Sequence, residues 1–218
     1  MKESTTNFFL NVLSVILGIV ITFSIQGIIN RAQDKKNVRS ALELIRSELA
    51  TNAEDISIML DYLKQEQASA QYFMGHLQDL DQCPSDSVIY HSAVLLSDAS
   101  ITVSHDALEL LKMSSLFQKI GDNPLSMIII RAYDCCTSGA QNLNQHIDAR
   151  NEQFSVTVNE KNVRKIISDG NIRIREFLKT DLGHYAIEAL ASQADPSQYT
   201  DMAAIQDAID AIGLYLER

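Results

Sequence analysis

The sequence is poor in residues that interrupt helices, with only 3 prolines and 8 glycines among 218 residues. Between Asn30 and Pro84 there is no proline at all. Proline and glycine mark turns and end helices, so their scarcity favours long helices over a β architecture with many turns. The composition therefore predicts an all-α fold.

Tryptophan is absent, and positive charge is scarce. The chain has 18 Lys+Arg against 28 Asp+Glu, which gives a formal net charge of −10. A surface that binds nucleic acid needs cations to neutralise the phosphates. The charge balance therefore argues against a nucleic acid as a partner of this chain.

Patterns of catalytic or metal-binding residues are also missing. The histidines are far apart, and there is no paired C-x-x-C, no H-E-x-x-H and no glycine-rich phosphate loop. The cysteines are Cys83, Cys135 and Cys136; their odd number and the adjacent pair predict free thiols in a reducing compartment. The sequence therefore predicts a protein that is not an enzyme and that holds no metal and no cofactor.

One long apolar segment lies near the start of the chain. No charged residue occurs from Ser4 to Asn30, and 15 of the 22 residues over 8–29 are Phe, Leu, Ile or Val. A helix of that length measures about 33 Å, enough to cross a hydrocarbon core of about 30 Å. Because the segment lacks a small-x-small cleavage site, it favours a transmembrane helix over a cleaved signal peptide.

Cations follow this segment more densely than they precede it. Lys2 stands before it, whereas Arg31, Lys35, Lys36 and Arg39 come directly after it. Cationic flanks stay on the cytoplasmic side of a membrane. We therefore expect a single-pass membrane protein with a cytoplasmic body. The four following cations are predicted to contact the headgroups of the lipid bilayer.

Small and polar residues recur every four positions inside the apolar segment, at Ser14, Gly18, Thr22 and Gln26. This spacing places them along one face of a helix. Such a face lets two transmembrane helices approach closely, and an amide can hydrogen-bond across the pair. The face is either a surface for self-association or a set of polar residues that a single span tolerates.

Apolar residues alternate at spacings of four and three from Val38 to Leu80, with Asn52 and Glu66 as the polar exceptions. A mean spacing of about 3.5 residues predicts one helical seam that faces a partner helix. Asn52 either fixes the register of this packing or marks a boundary or kink. Apolar residues beside the seam widen it, which favours a bundle over a homomeric coiled coil. The central seam residues are Leu42, Ile45, Leu49, Asn52, Ile56, Met59 and Leu63.

Turn signals divide the rest of the chain into further helices. We expect helices over about 85–97, 104–119 (either continuous or broken near Ser114 and Ser115), 123–168, 171–193 and 197–217, with Ser104 and Asn123 as N-caps. The predicted organisation is a short tail (1–7), a transmembrane helix (8–29), a juxtamembrane long helix (30–81) and the remaining helices (82–218). The last two parts are expected to form one antiparallel bundle.

The order of these features resembles an uncharacterised bacterial family of small single-pass membrane proteins, a domain of unknown function. The resemblance covers about residues 8–135 and rests on three runs: Leu42-x2-Ile45-x2-Glu48-Leu49-x2-Asn52, the stretch 107–116, and the stretch from Ile120 to Tyr133. It implies a membrane-tethered α-helical domain in the bacterial inner membrane and supplies no known activity. The chain differs from the family pattern in lacking a basic N-terminal flank and in having Ser115 where a glycine is expected.

These observations lead to three hypotheses about function. The first is a membrane-anchored helical interaction or scaffold protein, homo-oligomeric and without catalytic activity, that binds an unidentified protein partner. The second is a helical-bundle sensor that binds a small ligand and signals through the membrane-proximal helix. The third is an effector that oligomerises in the membrane.

Overall fold

The structure is a computed structural model that describes residues 2–154, 173–193 and 195–217, and Leu17 is the one residue before Asn30 whose side chain is described. All regular structure in these ranges is helical, so the predicted all-α class is confirmed. Short 3₁₀ turns lie at Leu80–Gln82, Phe117–Lys119 and Pro196–Tyr199. The helices are α1 (Lys2–His76), α2 (Ser85–Leu95), α3 (Asp106–Met113), α4 (Asn123–Phe154), α5 (173–178), α6 (Asp181–Ala191) and α7 (Met202–Leu216).

The helices form a bundle in which α1 and α4 run in the same direction. Glu48 contacts Tyr133 and, further along both helices, Glu66 contacts Arg150. The chain returns between them through α2 and α3, and it returns a second time through α5, α6 and α7. Each returning column is broken into short helices that run antiparallel to α1. The predicted helical bundle is thereby confirmed.

Two apolar clusters fill the bundle, one after the other along α1. The first combines the seam from Val38 to Leu63 with residues of α3, α4 and α7. The second combines Ala70 and Phe73 with residues of α2, α5 and α6 and with the end of α4. The central seam residues are all buried, from Leu42 to Leu63, with exposed fractions of 0–8%. The seam therefore packs against other helices of the same chain.

The predicted transmembrane helix requires a correction. Among the residues whose side chains are described, no helix is long and apolar enough to cross a membrane. From residue 30 onward, α1 has charged side chains on nearly every turn, beginning with Arg31, Asp34 and Lys35, and a hydrocarbon core does not accommodate such a helix. The prediction of a single-pass protein of the bacterial inner membrane is therefore wrong.

The side chains of the predicted span at 8–29, Leu17 apart, lie outside the described residues. The same holds for the predicted self-association face, which consists of Ser14, Gly18, Thr22 and Gln26. The predicted extension of α4 to residue 168 also falls outside the described ranges, because the description of α4 ends at Phe154.

Two of the other predicted helices are interrupted. α3 ends at Met113, and the backbone of Ser115 then adopts a φ of +56° before the next 3₁₀ turn. The predicted helix over 171–193 breaks at Thr180, whose hydroxyl accepts a hydrogen bond from the Gly183 N–H and so caps α6. A Cβ at Gly183 would lie 2.1 Å from the carbonyl oxygen of Phe177. The two helices can approach this closely only because residue 183 is glycine.

Candidate functional site

A cluster of polar and charged side chains lies between the two apolar clusters, at the centre of the bundle. We call it the ionic cluster, and its members are Glu66, Arg150 and His146. Glu66 and Arg150 have exposed fractions of only 0% and 1%. Arg150 Nη1 donates a hydrogen bond to Glu66 Oε2 at 2.5 Å. Because Glu66 occupies the seam of α1 and Arg150 the buried face of α4, this ion pair joins the two helices that run in the same direction.

The rest of the Arg150 guanidinium is bound as well. Nη1 also donates to the Tyr62 hydroxyl at 2.6 Å, and Nη2 donates to the carbonyl of Ser97 at 2.6 Å and to Asn151 Oδ1 at 2.9 Å. A buried ion pair is tolerable only when such additional hydrogen bonds satisfy the charged groups. Arg150 therefore connects α1, α4 and the segment that follows α2.

His146 extends the ionic cluster towards the 3₁₀ turn Pro196–Tyr199, which lies between α6 and α7 in the sequence. Its Nε2 lies 2.6 Å from Glu66 Oε1, and its Nδ1 lies 3.1 Å from the hydroxyl of Tyr199. The neutral ring fits both neighbours if Nε2 carries the proton and Nδ1 accepts from Tyr199. Burial, with a smaller effect of the Glu66 charge, raises the pKa of Tyr199 above its ordinary value, so this hydroxyl keeps the proton that it donates.

The link between α2 and α3, residues 97–105, is held by side-chain amides. Asn144 of α4 bonds both the N–H and the carbonyl of Ile101, at 3.0 and 2.8 Å. Asn52 of α1 bonds both backbone groups of Ser104, each at 2.9 Å. Backbone outside a helix lacks regular hydrogen-bond partners, so these side-chain amides supply the partners that the link needs. α1 remains helical through Asn52.

Glu48 of α1 caps α3 from another part of the chain. Its carboxylate accepts hydrogen bonds from the Ser104 hydroxyl at 2.6 Å, the Ala107 N–H at 3.0 Å and the Tyr133 hydroxyl at 2.5 Å. The predicted N-cap, Ser104, reaches only the N–H of Asp106, at 3.3 Å. Burial by itself raises the pKa of Glu48, but the hydrogen bonds from Ser104, Tyr133 and the backbone together lower it below its ordinary value.

The second predicted N-cap, Asn123, is replaced in this role by the residue before it, Asp122. Asn123 is the first residue of α4, and the side chain of Asp122 accepts the hydrogen bond from the N–H of Leu125 at 3.0 Å. A carboxylate at this position is favoured by the helix dipole as well as by the hydrogen bond. Both corrections have the same physical cause, since a carboxylate within reach is the stronger acceptor.

The adjacent residues Cys135 and Cys136 lie in surroundings that keep their thiols protonated. Burial raises the pKa of Cys136 to about 12 and also raises that of Cys135. Because the thiolate is the reactive and metal-binding form of cysteine, protonated thiols are poor nucleophiles and ligands. Among the residues that the structure describes, no group of three His, Cys, Asp or Glu side chains could hold a metal ion.

The cations of the predicted headgroup contact lie together at one end of the bundle. Arg31, Lys35 and Lys36 are exposed, whereas Arg39 is partly buried and donates to the carbonyl of Leu216 at the end of α7. The contact with lipid headgroups loses its basis with the correction of the membrane location. What the structure does place here is a group of cations on an otherwise acidic protein.

α3 has apolar side chains on its outer face as well as on its inner face. Leu108 and Leu111 are buried, but Leu110 is 56% exposed and Met113 is 82% exposed. Residues three apart lie side by side on a helix surface. The outer face of α3 therefore offers an apolar patch to a partner, and Glu109 and Lys112 add one charge of each sign at 3.7 Å from each other.

Sequence reasoning did not find the ionic cluster. One signal was present, because Glu66 occupies a seam position that is otherwise apolar. A second signal lay in α4, where Leu143, Ile147, Arg150 and Phe154 follow the spacing of a buried face. Two opposite charges, each on the buried stripe of a different helix, indicate a buried ion pair. Their pairing can be recognised only once the two helices are aligned.

The runs on which the family resemblance rested are parts of these packed faces. Leu42, Ile45 and Leu49 fill the first apolar cluster together with Leu108 and Leu111. Such spacing arises from helix packing and recurs in helical bundles of every kind. In comparisons with known proteins the chain matches no protein-family model, no curated protein and no solved structure, so the predicted membership of a family of small single-pass membrane proteins is wrong.

Proposed function

We propose that the chain is a helical interaction protein that serves as a scaffold, without catalysis, and that it associates with a second copy of itself through α3. The observation that carries this proposal is the exposed pair of Leu110 and Met113 on the outer face of that helix. Single apolar residues on a surface are ordinary, but neighbouring ones form a patch of the kind that marks an interaction site.

The contacts beneath α3 support its role as a fixed platform. Glu48 holds the start of the helix, and Asn52 holds the link that precedes it. Leu108 and Leu111 anchor the inner face in the first apolar cluster. A surface that is already ordered loses little conformational entropy when a partner binds, so more of the contact energy contributes to affinity.

Charge on α3 favours a second copy of the chain as the partner. Glu109 and Lys112 flank the apolar pair with opposite charges. When two α3 helices meet about a twofold axis, each Glu109 can lie near the other copy's lysine at position 112, because a twofold interface matches one patch with itself.

Sedimentation velocity over a range of protein concentrations tests the proposal. We expect the wild type to shift from monomer to dimer as the concentration rises. A double variant, Leu110→Lys with Met113→Lys, should remain a monomer, because two lysines facing two lysines repel each other and remove the apolar contact. Circular dichroism should show the same helix content in both proteins, since both side chains are exposed.

The matched control is the double variant Leu44→Lys with Ile58→Lys, which adds the same two charges on α1, where these side chains are 53% and 63% exposed. This variant should dimerise like the wild type. A wild type that stays monomeric at every concentration would refute the proposed self-association, as would a control that disrupts the dimer as strongly as the α3 variant.

The membrane-effector hypothesis loses its basis with the membrane location, and the sensor hypothesis requires a ligand site.

A further inference from the structure

A groove lies at the end of the bundle where α1 meets the 3₁₀ turn Phe117–Lys119 and α7. Its volume is about 350 Å³, within the range of small-molecule sites. Three separate parts of the chain form it, so it exists only in the folded protein. The lining residues are Arg31, Asp34, Lys35, Val38, Lys119 and Tyr215.

The charges of the groove are mainly positive. Arg31 and Lys35 lie one helical turn apart and are exposed, and within the described part of the chain neither makes an ion pair. Lys119 is bound to Asp34 at 2.8 Å, and this pair is only partly buried. The single carboxylate offsets one of the three cations, so the groove keeps an excess of positive charge on a protein whose net charge is −10.

The floor of the groove is apolar and fixed. Val38 is 2% exposed and belongs to the first apolar cluster. Tyr215 donates a hydrogen bond from its hydroxyl to the carbonyl of Ile120 at 2.9 Å, which orients its ring. Cationic side chains above an apolar and aromatic floor match a ligand that combines an anionic group with a flat apolar body.

We infer that this groove binds a small soluble phosphate monoester with a flat apolar body. The phosphate is held by Arg31 and Lys35, and the body lies over Val38 and Tyr215. Lys119 is free to turn from Asp34 towards the bound phosphate, since the pair is exposed enough to exchange. This site goes beyond the proposed scaffold function and would be the ligand site that the sensor hypothesis requires.

Isothermal titration with 1-naphthyl phosphate tests the inference, because this probe has both parts of the expected ligand. Inorganic phosphate lacks the flat body and 1-naphthol lacks the charge, so each should bind at least about tenfold more weakly. Lys35→Glu should also weaken the binding of 1-naphthyl phosphate by about tenfold or more, because it replaces a charge-assisted hydrogen bond with repulsion.

Lys36→Glu is the matched control. It makes the same charge change at the next residue, which is exposed but does not line the groove, and it should alter the affinity by no more than about twofold. If Lys35→Glu unfolds the protein, Lys35→Gln replaces it and should still weaken binding.

Four results would overturn the inference. They are the absence of saturable binding of 1-naphthyl phosphate, equal binding of 1-naphthol, equal losses from the Lys35 and Lys36 variants, and binding to vesicles of phosphatidylglycerol without binding to the soluble probe. The α3 double variant should bind the probe like the wild type, so failure of the groove and failure of self-association can be told apart.

Discussion

At the scale of single residues, Ser115 shows how one backbone conformation ends a helix. Its φ of +56° lies in the left-handed region, which costs a residue with a Cβ atom about 1–2 kcal/mol. The residue follows the end of α3, where helices commonly leave through a left-handed glycine. The serine is therefore tolerated at this position because the packing of α3 and the next turn fixes the backbone around it.

Ser115→Gly should stabilise the protein, because glycine adopts this conformation without steric cost. The gain is offset in part by the greater freedom of glycine in the unfolded chain, so we expect a net increase of at most about 1 kcal/mol in the free energy of unfolding. Urea unfolding followed by circular dichroism measures it. Ser114→Gly is the matched control and should destabilise, because Ser114 has a φ of −79° and its hydroxyl donates to the carbonyl of Leu111.

At the scale of the elements, α3 depends on contacts from outside itself. It has only 8 residues, and isolated helices shorter than about 12–15 residues are marginal in water. Glu48 accepts hydrogen bonds at the start of α3. The side-chain amides of Asn52 and Asn144 each donate one hydrogen bond to the link before α3 and accept one from it. The helix therefore owes its position to side chains whose contacts with its start and with the preceding link span 43 to 59 residues of sequence.

Glu48→Gln should reduce the stability at neutral pH by about 1–2 kcal/mol, since a carboxylate that caps a helix is replaced by a neutral amide. The pKa of Glu48 in the folded protein lies below its ordinary value of 4.5. Its contribution is therefore complete above about pH 4.5 and is lost as the pH falls through the lower folded pKa. Thermal unfolding at a series of pH values should show the two proteins converging below that range.

Glu109→Gln is the control for this measurement, because Glu109 lies on the exposed side of α3 and its ion pair with Lys112 is open to solvent. Exposed pairs of this kind contribute little to stability. A gap between the wild type and Glu48→Gln that stays constant down to the most acidic pH would contradict the capping role assigned to the ionised carboxylate.

At the scale of the whole molecule, the ionic cluster separates two apolar clusters that could otherwise merge. Leu63 and Ile147 lie on one side of it, and Ala70 and Phe154 lie on the other. Glu66 and Arg150 can pair only when α1 and α4 have one particular alignment. A shift of either helix by one turn would bury both charges without partners, which costs several kcal/mol. We therefore interpret the cluster as the device that fixes the alignment of the bundle.

Removing one partner should be far more harmful than removing both. Glu66→Leu or Arg150→Met alone should lower the free energy of unfolding by about 3–5 kcal/mol, because each leaves a buried charge unpaired. The double variant should recover much of this loss. Urea unfolding of the four proteins gives the coupling energy, and simple additivity of the two single losses would refute the assignment of the pair.

The sequence was sufficient to predict some features of the fold but not others. Scarce proline and the spacing from Leu42 to Leu63 were enough to predict a helical bundle around α1. The cap of α3 was assigned to Ser104 because local sequence patterns cannot identify an acceptor on another helix, here Glu48 of α1. The cap of α4 was assigned to Asn123, one residue after the observed cap Asp122. The break at Thr180 was missed because it depends on the close packing of Gly183 against the backbone of Phe177, which the sequence pattern does not show.

The amino-acid sequence by itself determined that the chain is helical and which face of α1 is buried, because both follow from the composition and periodicity of neighbouring residues. Only the tertiary structure decided that Glu66 meets Arg150, that Glu48 caps α3 and that Lys35 and Tyr215 line one groove. These pairings depend on the rotation and relative height of helices far apart in the chain. Periodicity within one helix contains no information about either quantity.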